Sequence, residues 1–538
     1  MSKDYSIWIS KVIIPWGLFV VGIYTFAIRI MGYDFTYIPG DFGDARFNNY
    51  ILEHGFKYLT GQVNKYWDAP FLYPTKNVIA FSDNLLGTVP LYSLFRVFDF
   101  SRETSFQLWF LGLSILNFVC CYIALNKWFK NSILSAVGAY VFAFGIFNIG
   151  MIGHVQVFPK FMIPLIFYWS WQYLSKKEIK YFFFTAMGTV YQFYCGIYLG
   201  FFVIYALLFI VVSYFIVYRD LAFFHQFKNK KNNLIFLGTL LLAGITIYPL
   251  IYPYFELSRV TGLRAFDEIV SSIPRPLSYF FVQPSSFLWK EFFYTKNPCF
   301  EGFDEWWMHF LFPGVLPWLA VICTPIILVY KRIKKREAKP GYFLLGSFLV
   351  SIIFCMNFNG FIPYKLIYRL PGFASMRSLN RIINVEIMFF ILIMMYVFYE
   401  LNKKHFFRLK IIYLLPLLVF MDNAYSLNWD VRRFNKEESI HKVEVIKNQI
   451  NRAGVKKHQV VAVALNKEKE NTHLDIIDHH ISVMLAAQEL QLSCINGYSG
   501  SYPDNYMSFF DNTDLESLTS WCQQNDIPQG TVQLINFK

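Results

Sequence analysis

Charge is what this chain has least of. Asp, Glu, Lys and Arg together make up 16% of its 538 residues, against about a quarter in ordinary soluble domains. That charge falls between long apolar runs, which excludes a soluble globular chain of this length. Cysteine is sparse as well: Cys120, Cys121, Cys195, Cys299, Cys323, Cys355, Cys494 and Cys522. No Cys-x-x-Cys pair and no zinc spacing occurs among them, so no zinc module is encoded. Most of these thiols lie in or beside apolar runs, where Cys behaves as a small hydrophobe. A bridge between Cys494 and Cys522 would join two points of the tail, but sequence alone does not establish it. The first apolar run, from about Trp8 to Ile30, has no small-residue cleavage site and is too long for a removable signal peptide, so it is expected to remain as a membrane helix. No internal repeat or low-complexity tract is present.

What is present points to lipid. Hydrophobic residues account for 55% of the chain and aromatics for 20%, and mean hydropathy is +0.37. A membrane-spanning helix needs about 20 apolar residues, and roughly eleven runs qualify in whole or in part. They centre near 9–30, 104–125, 132–150, 158–174, 181–196, 198–218, 234–254, 309–330, 341–357, 382–400 and 411–427. The 181–218 region reads as one broken helix or two short ones, with the break in "YCGIYLG". The segment 84–98, "NLLGTVPLYSLFRVF", is too short to span and contains Pro90, so it is expected to lie along the membrane interface.

The net charge of +13 does not imply nucleic acid, because Lys and Arg gather in short runs between the spans, as topology signals do. With 84–98 lying flat, the basic stretches 126–132, 175–180, 225–233, 331–339 and 402–410 all fall on one side. That side is the cytoplasm by the positive-inside rule, and the N-terminus lies there too. The opposite side receives the long first loop 31–103, the turns 150–160, 256–308 and 358–381, and the tail 428–538. The tail is not membrane-like. It alternates helix patterns ("EESIHKVEVIKNQINRAG", "HHISVMLAAQELQL") with strand patterns ("HQVVAVAL", "GTVQLINF"), which predicts a small α/β domain. The expected organisation is therefore an α-helical polytopic membrane part, 1–427, followed by an extracytoplasmic α/β domain, 428–538.

Polar chemistry concentrates on the outer side. "YIPGDFGDARFNNYILEHGFKYLTG" (37–61) carries Asp41, Asp44, Arg46, Glu53 and His54. A carboxylate there serves as a general base, a metal ligand or an electrostatic anchor; the plain alternative is a solvated loop near the headgroups. Length favours function, as do amphipathic helices able to roof a membrane-level cavity and glycines beside acids that admit a ligand to the backbone. Asp83 is either the N-cap of the interfacial helix or a substrate contact. His154, with Gln156 and Lys160 nearby, sits at an outward helix end. Arg377 and Arg381 are four apart, so on a helix they share a face, and two guanidiniums at the start of a membrane helix can clamp a phosphate or anchor the helix in the headgroups. Arg259 and Arg264 are weaker candidates. In the tail, His473, Asp475, Asp478, His479 and His480 match no standard metal-site spacing.

Several stretches carry a resemblance through most of the chain: "PGDFGDARFNNYILEHG", "AFSDNLLGTVPLYSLFR", "GHVQ", "PGFASMRSLNRIINVE", "LAAQEL" and "NGYSGSYP". They resemble a group of bacterial membrane proteins related in layout to the YfhO-type proteins and, more distantly, to the GT-C glycosyltransferase superfamily. The resemblance implies a GT-C-like fold in the bacterial cytoplasmic membrane. It implies transfer of a sugar from a polyprenyl-phosphate carrier to a glycan or cell-envelope acceptor on the outer face. Asp44 is then expected as the acidic catalytic residue, with Asp41 second. Arg46, Glu53, His54, Asp83, His154, Arg377 and Arg381 are expected to bind substrate, the two last stabilising the departing phosphate. The first loop departs from the superfamily in having D-F-G-D in place of an Asp-Glu or Asp-x-Asp pair, and a divalent metal is not required by the sequence. Two other classes remain as alternatives. One is a transporter or flippase of lipid-linked sugar, which would place ionisable residues inside its spans. The other is a non-catalytic envelope assembly factor, which would tolerate loss of the first-loop acids.

Overall fold

A computed structural model describes residues 9–262, 265–293, 306–370, 372–403, 411–428, 430–456, 459–466 and 471–536. Arg264, Cys299 and the basic residues 404–410 lie outside these. Within the described residues, seven helices are long and apolar enough to cross a membrane. They are α1 (Ser10–Met31), α4 (Arg102–Phe129), α5 (Ser132–Val157), α8 (Ile197–Tyr218), α9 (Lys230–Arg259), α10 (Val315–Ile333) and α12 (Leu379–Lys403). The chain is thus an α-helical polytopic membrane protein. Three further apolar runs form shorter helices, α6 (Met162–Lys176, 15 residues), α7 (Ile179–Cys195, 17 residues) and α11 (Lys339–Phe354, 16 residues).

The expected run 411–427 holds a 3-10 turn (Ile411–Tyr413) followed by α13 (Leu415–Asp422, 8 residues), which alone rises about 12 Å. Its end is fixed by Asp422, whose carboxylate accepts the backbone N–H groups of Val315 (2.9 Å) and Leu316 (3.0 Å) and so caps α10. The 181–218 region is two helices, α7 and α8, meeting at Gly196.

α5 and α12 form the centre of the bundle, with 94% and 89% of their apolar windows buried, whereas only 11% of the α9 window is buried, which puts that helix at the periphery. Local signals set the boundaries. Ser101 caps α4 through Thr104 N–H (3.2 Å) and Asn131 caps α5 through Leu134 N–H (3.1 Å), each satisfying an orphan donor of a first turn.

The first loop is ordered. It contains β1 (Tyr37–Pro39), α2 (Asp44–Leu59) and α3 (Val89–Val97). α3 rises only about 13 Å and leaves Leu94, Val97 and Phe98 exposed, which fits an interfacial helix.

The tail begins with β2 (Arg433–Asn435), which pairs antiparallel with β1. The tail therefore lies on the same side as the first loop. α14 (Lys436–Arg452) and α15 (His473–Leu490) accompany a parallel three-stranded sheet, with β3 (Val460–Val463) between β4 (Ser493–Cys494) and β5 (Val532–Ile535). α15 starts six residues earlier than the sequence pattern suggested, because Thr472 and Asp475 form a reciprocal capping box. Cys494 and Cys522 are both free thiols.

The tail is bolted onto α2. Arg46, 2% exposed, pairs with Asp478 and donates to Ser482 Oγ (2.9 Å); Gln488 donates to the Tyr50 carbonyl (3.1 Å). Residues 45–55 of α2 are consequently all buried, so this helix is a core element between membrane part and tail, not a roof with one open face. Arg46→Ala leaves the part-buried Asp478 to Lys442 and Ser482. It is expected to weaken tail docking by about 2 kcal/mol, read as faster deuterium uptake across 473–490 with the bundle unchanged.

Candidate functional site

The site begins in the turn that opens α2. Gly40 sits at φ +114°, and a Cβ there would fall 2.4 Å from the Ala45 Cβ, so only glycine lets the chain fold back tightly enough to bring Asp41 and Asp44 together. Asp44 is the first residue of α2, where the helix dipole favours an anion. Both of its carboxylate oxygens are engaged. Oδ1 accepts from the Tyr498 hydroxyl (2.8 Å). Oδ2 meets His154 Nδ1 (2.9 Å) and Gln156 Nε2 (3.3 Å). Gln156 is itself held by Asn48, whose amide donates to Gln156 Oε1 (2.9 Å) and to the Asp44 carbonyl (2.7 Å).

Burial by itself would raise the Asp44 carboxyl. The His154 hydrogen bond and charge, with Arg381 and Tyr498, overcome it and hold the group well below the usual carboxylate range. An ionised Asp44 is an acceptor only, so His154 Nδ1 carries the proton and its Nε2 is left as the basic nitrogen. The Asp44 and His154 side chains are 21% and 36% exposed, so the pair is reachable from outside. His154 reaches this position through a non-helical backbone (φ −121°, ψ 67°) in the turn that ends α5.

Asp41 lies beside this pair. Burial and the Asp44 charge push its carboxyl up to about 7, as expected when two carboxylates share a site. Asp83, 3% exposed, does not cap the 84–98 helix; that helix has no side-chain cap. Asp83 instead accepts the N–H of Ile197 (2.8 Å) at the start of α8. The helix break at Gly196 leaves that N–H at a helix start, without an intrahelical acceptor. Burial raises Asp83 to about 6 even though the Arg381 charge opposes it. Both folded values stand above the ordinary value of about 3.9, so the fold favours the protonated forms. Their contribution to stability is complete below about pH 4 and is lost as pH rises through 6 to 7. The thermal midpoint in detergent is therefore expected to fall between about pH 5 and pH 8, with Asp41→Asn flattening that slope; an unchanged slope would remove the proton from Asp41.

Two cations bear on the site: Arg432, beside Gly153 and acting on Asp41, and Arg381. The latter lies in the 3-10 turn Leu379–Ile382 that begins α12, its Cζ is 5.5 Å from the Tyr198 ring centroid, and its charge acts on both Asp44 and Asp83. The residue is 9% exposed and its Nε is buried with no hydrogen-bond partner. Arg377 does not share a helix face with it. Ser378 has φ −114°, ψ 83°, which ends regular backbone between them, and Arg377 is exposed in the preceding bend, near enough to influence Tyr502.

Three expected site residues lie elsewhere. Arg46 faces the tail, as described above. Glu53 is more than two turns along α2 from Asp44; it accepts from Arg96 Nε (2.8 Å) and from the Tyr92 hydroxyl (2.8 Å), tying α2 to α3. His54 donates through Nε2 to the Tyr66 carbonyl (2.9 Å), and burial pushes its imidazole down to about 4, so it is a neutral packing group. Arg259 is exposed and pairs with Glu256 (3.5 Å). Lys160 turns away from His154 into the bundle, donating to Asn148 Oδ1 (2.6 Å) and Asn384 Oδ1 (2.9 Å). In the tail, Asp478 serves Arg46 and Lys442, and His479 bonds the Val463 carbonyl (2.9 Å).

Tyr498 and Tyr198 went unassigned from sequence. Tyr498 is set by His480, which accepts the Gly497 N–H on Nδ1 (3.1 Å) and donates from Nε2 to the Phe510 carbonyl (3.0 Å). The signal for Tyr498 was the stretch "NGYSGSYP" itself, a polar turn in which that tyrosine lies between two glycines.

No family model matches the chain, and no curated protein matches it. Among solved structures it is similar to the archaeal oligosaccharyltransferase AglB from Archaeoglobus fulgidus in complex with an inhibitory peptide and a dolichol-phosphate, with 11% identity, a TM-score of 0.46, and 97% of this chain and 69% of that chain covered.

Proposed function

We propose that this protein is a membrane-embedded glycosyltransferase that moves a sugar from a polyprenyl-phosphate carrier to an acceptor hydroxyl on the outer face of the cytoplasmic membrane. The observation that carries this reading is the Asp44–His154 hydrogen bond (2.9 Å), with the buried, incompletely bonded guanidinium of Arg381 near enough for its charge to act on Asp44. A base and a phosphate-binding cation within one site are the two groups the reaction needs. The acceptor oxygen attacks the anomeric carbon and its proton passes to His154 Nε2. The bond from that carbon to the phosphate oxygen breaks, and the carrier phosphate leaves as an anion beside Arg381. Asp44 acts through His154, fixing its tautomer and stabilising the imidazolium that forms. The acceptor is a glycan or other envelope component, and the site faces outward because the basic loops sort to the other side.

Purified protein in proteoliposomes, supplied with a panel of radiolabelled polyprenyl-phosphate hexoses and an envelope extract, is expected to move label from the organic phase into the acceptor. One observation favours transport of the same lipid instead. Glu386 of α12, 1% exposed, accepts from the Tyr279 hydroxyl (2.6 Å), and an ionisable group within a membrane helix is commonly functional. Movement of intact labelled carrier between leaflets, with no label reaching any acceptor, would replace the transferase reading by that one.

A further inference from the structure

A cavity of about 380 Å³ opens between the first loop and α9. Its walls are aromatic. Trp67 packs edge-on against Tyr66 (5.4 Å) and Tyr254 (5.6 Å), and Tyr58 packs against Tyr66 (5.8 Å), so the rings are held in fixed orientations. Asn64, Asp68 and Asn77 supply planar polar groups at its margin. Asp68 accepts the Asn77 N–H (2.8 Å) and pairs with Lys65 (3.2 Å), the one cation lining the cavity among the described residues.

The depth of the cavity follows from α9. Pro249 and Leu250 form its membrane-side wall. Leu250 lies about 30 Å along the helix from the basic end at Lys230, one hydrocarbon thickness away, so the cavity sits at the opposite interface. A ligand arriving there is amphiphilic. The geometry favours an uncharged headgroup, because a phosphate reaching the exposed Lys65 would also meet its partner carboxylate, Asp68. This separates the cavity from the Arg381 site, which offers an incompletely bonded guanidinium. A headgroup that presents apolar C–H faces to aromatic rings and hydroxyls to amides and a carboxylate is a sugar, and the volume lies within the ordinary range of ligand sites.

We propose that this cavity binds the neutral saccharide headgroup of a membrane-anchored glycolipid, with the lipid chains lying along α9. The site stands independently of whether the Asp44 centre transfers sugar.

The test uses the full chain in phosphatidylcholine nanodiscs with a diazirine-bearing glucosyl diacylglycerol and two matched probes, a diacylglycerol and a phosphatidylglycerol. The glucosyl probe is expected to label peptides within 58–77 and 246–254 about tenfold more than either control, and Trp67→Ala is expected to remove that excess. Asn64→Ala, at an exposed position, and competition by unlabelled glucosyl diacylglycerol give the same answer should Trp67→Ala fail to fold. Equal labelling by the glucosyl probe and the diacylglycerol, stronger labelling by phosphatidylglycerol, or label indifferent to the competitor would each overturn the assignment.

Discussion

Asp44→Asn is expected to lower sugar transfer by about 10²- to 10⁴-fold while leaving the protein folded. The substitution keeps size and shape but removes the charge that orders the site. In the wild type, Oδ2 receives the His154 Nδ1 proton at 2.9 Å and Oδ1 the Tyr498 hydroxyl at 2.8 Å. A neutral amide bonds either imidazole tautomer, so Nε2 no longer has to be the basic nitrogen. The imidazolium that forms as the acceptor loses its proton also goes without an adjacent anion. Asp44→Glu retains charge in altered geometry and is expected to recover part of the rate. A structural role alone would give loss of thermal stability in proportion to loss of rate. The positioning role instead predicts near-normal unfolding, a nearly unchanged KM for the carrier, and a shifted acidic limb of the pH–rate profile. Full activity of Asp44→Asn at wild-type protein levels would remove the pair from catalysis.

The bundle and the side on which the tail lies were legible in the sequence because both rest on patterns with a single physical reading. Apolar runs near membrane length must be helices, and basic loops sort to one side. α3 could be read as interfacial because nine helical residues cannot cross a bilayer. The site was legible only in part. Asp44, His154 and Arg381 stood out as polar residues at the outer ends of apolar runs, and the fold brings them together from three separate segments. Glu53 and His54 looked equivalent to Asp44 because they share its helix. Residues nine and ten positions along that helix, however, lie about 14 Å away, and their partners Arg96 and Tyr66 come from parts of the loop that no local pattern connects to them. Tyr498 lies 454 positions from Asp44, and Asp83 finds its donor 114 positions away at Ile197. Such contacts depend on how the tail docks and where α7 stops, and neither is encoded in spacing along the chain. Arg377 was misplaced for a local reason: the 3-10 turn that begins α12 starts only after Ser378.

Arg381→Ala is expected to cost about 10²- to 10³-fold in kcat/KM for the carrier, with Arg381→Lys falling between it and the wild type. The site explains why a buried guanidinium is tolerated there without a full set of hydrogen bonds. A cation 9% exposed would be expensive to hold alone, and the Asp44 and Asp83 carboxylates supply the compensating field without contacting it directly. Burial raises the Asp83 carboxyl to about 6, so near neutral pH it carries slightly less than a full charge. The site therefore offers an incoming phosphate a planar donor fork opposed by one full carboxylate and one fractional one. Lysine keeps the charge but not the fork, and its more strongly hydrated head is harder to bury. The kinetic split reports which state Arg381 serves. If it holds the phosphate equally in substrate and transition state, the loss is in KM alone; if it meets charge that develops as the carrier leaves, kcat falls as well. The second pattern is expected, because the glycosyl-bonded phosphate gains negative charge only as its bond to the sugar breaks. An unchanged kcat/KM in Arg381→Ala would leave the buried cation as a structural partner of Tyr198 and the two carboxylates and take the phosphate site away from α12.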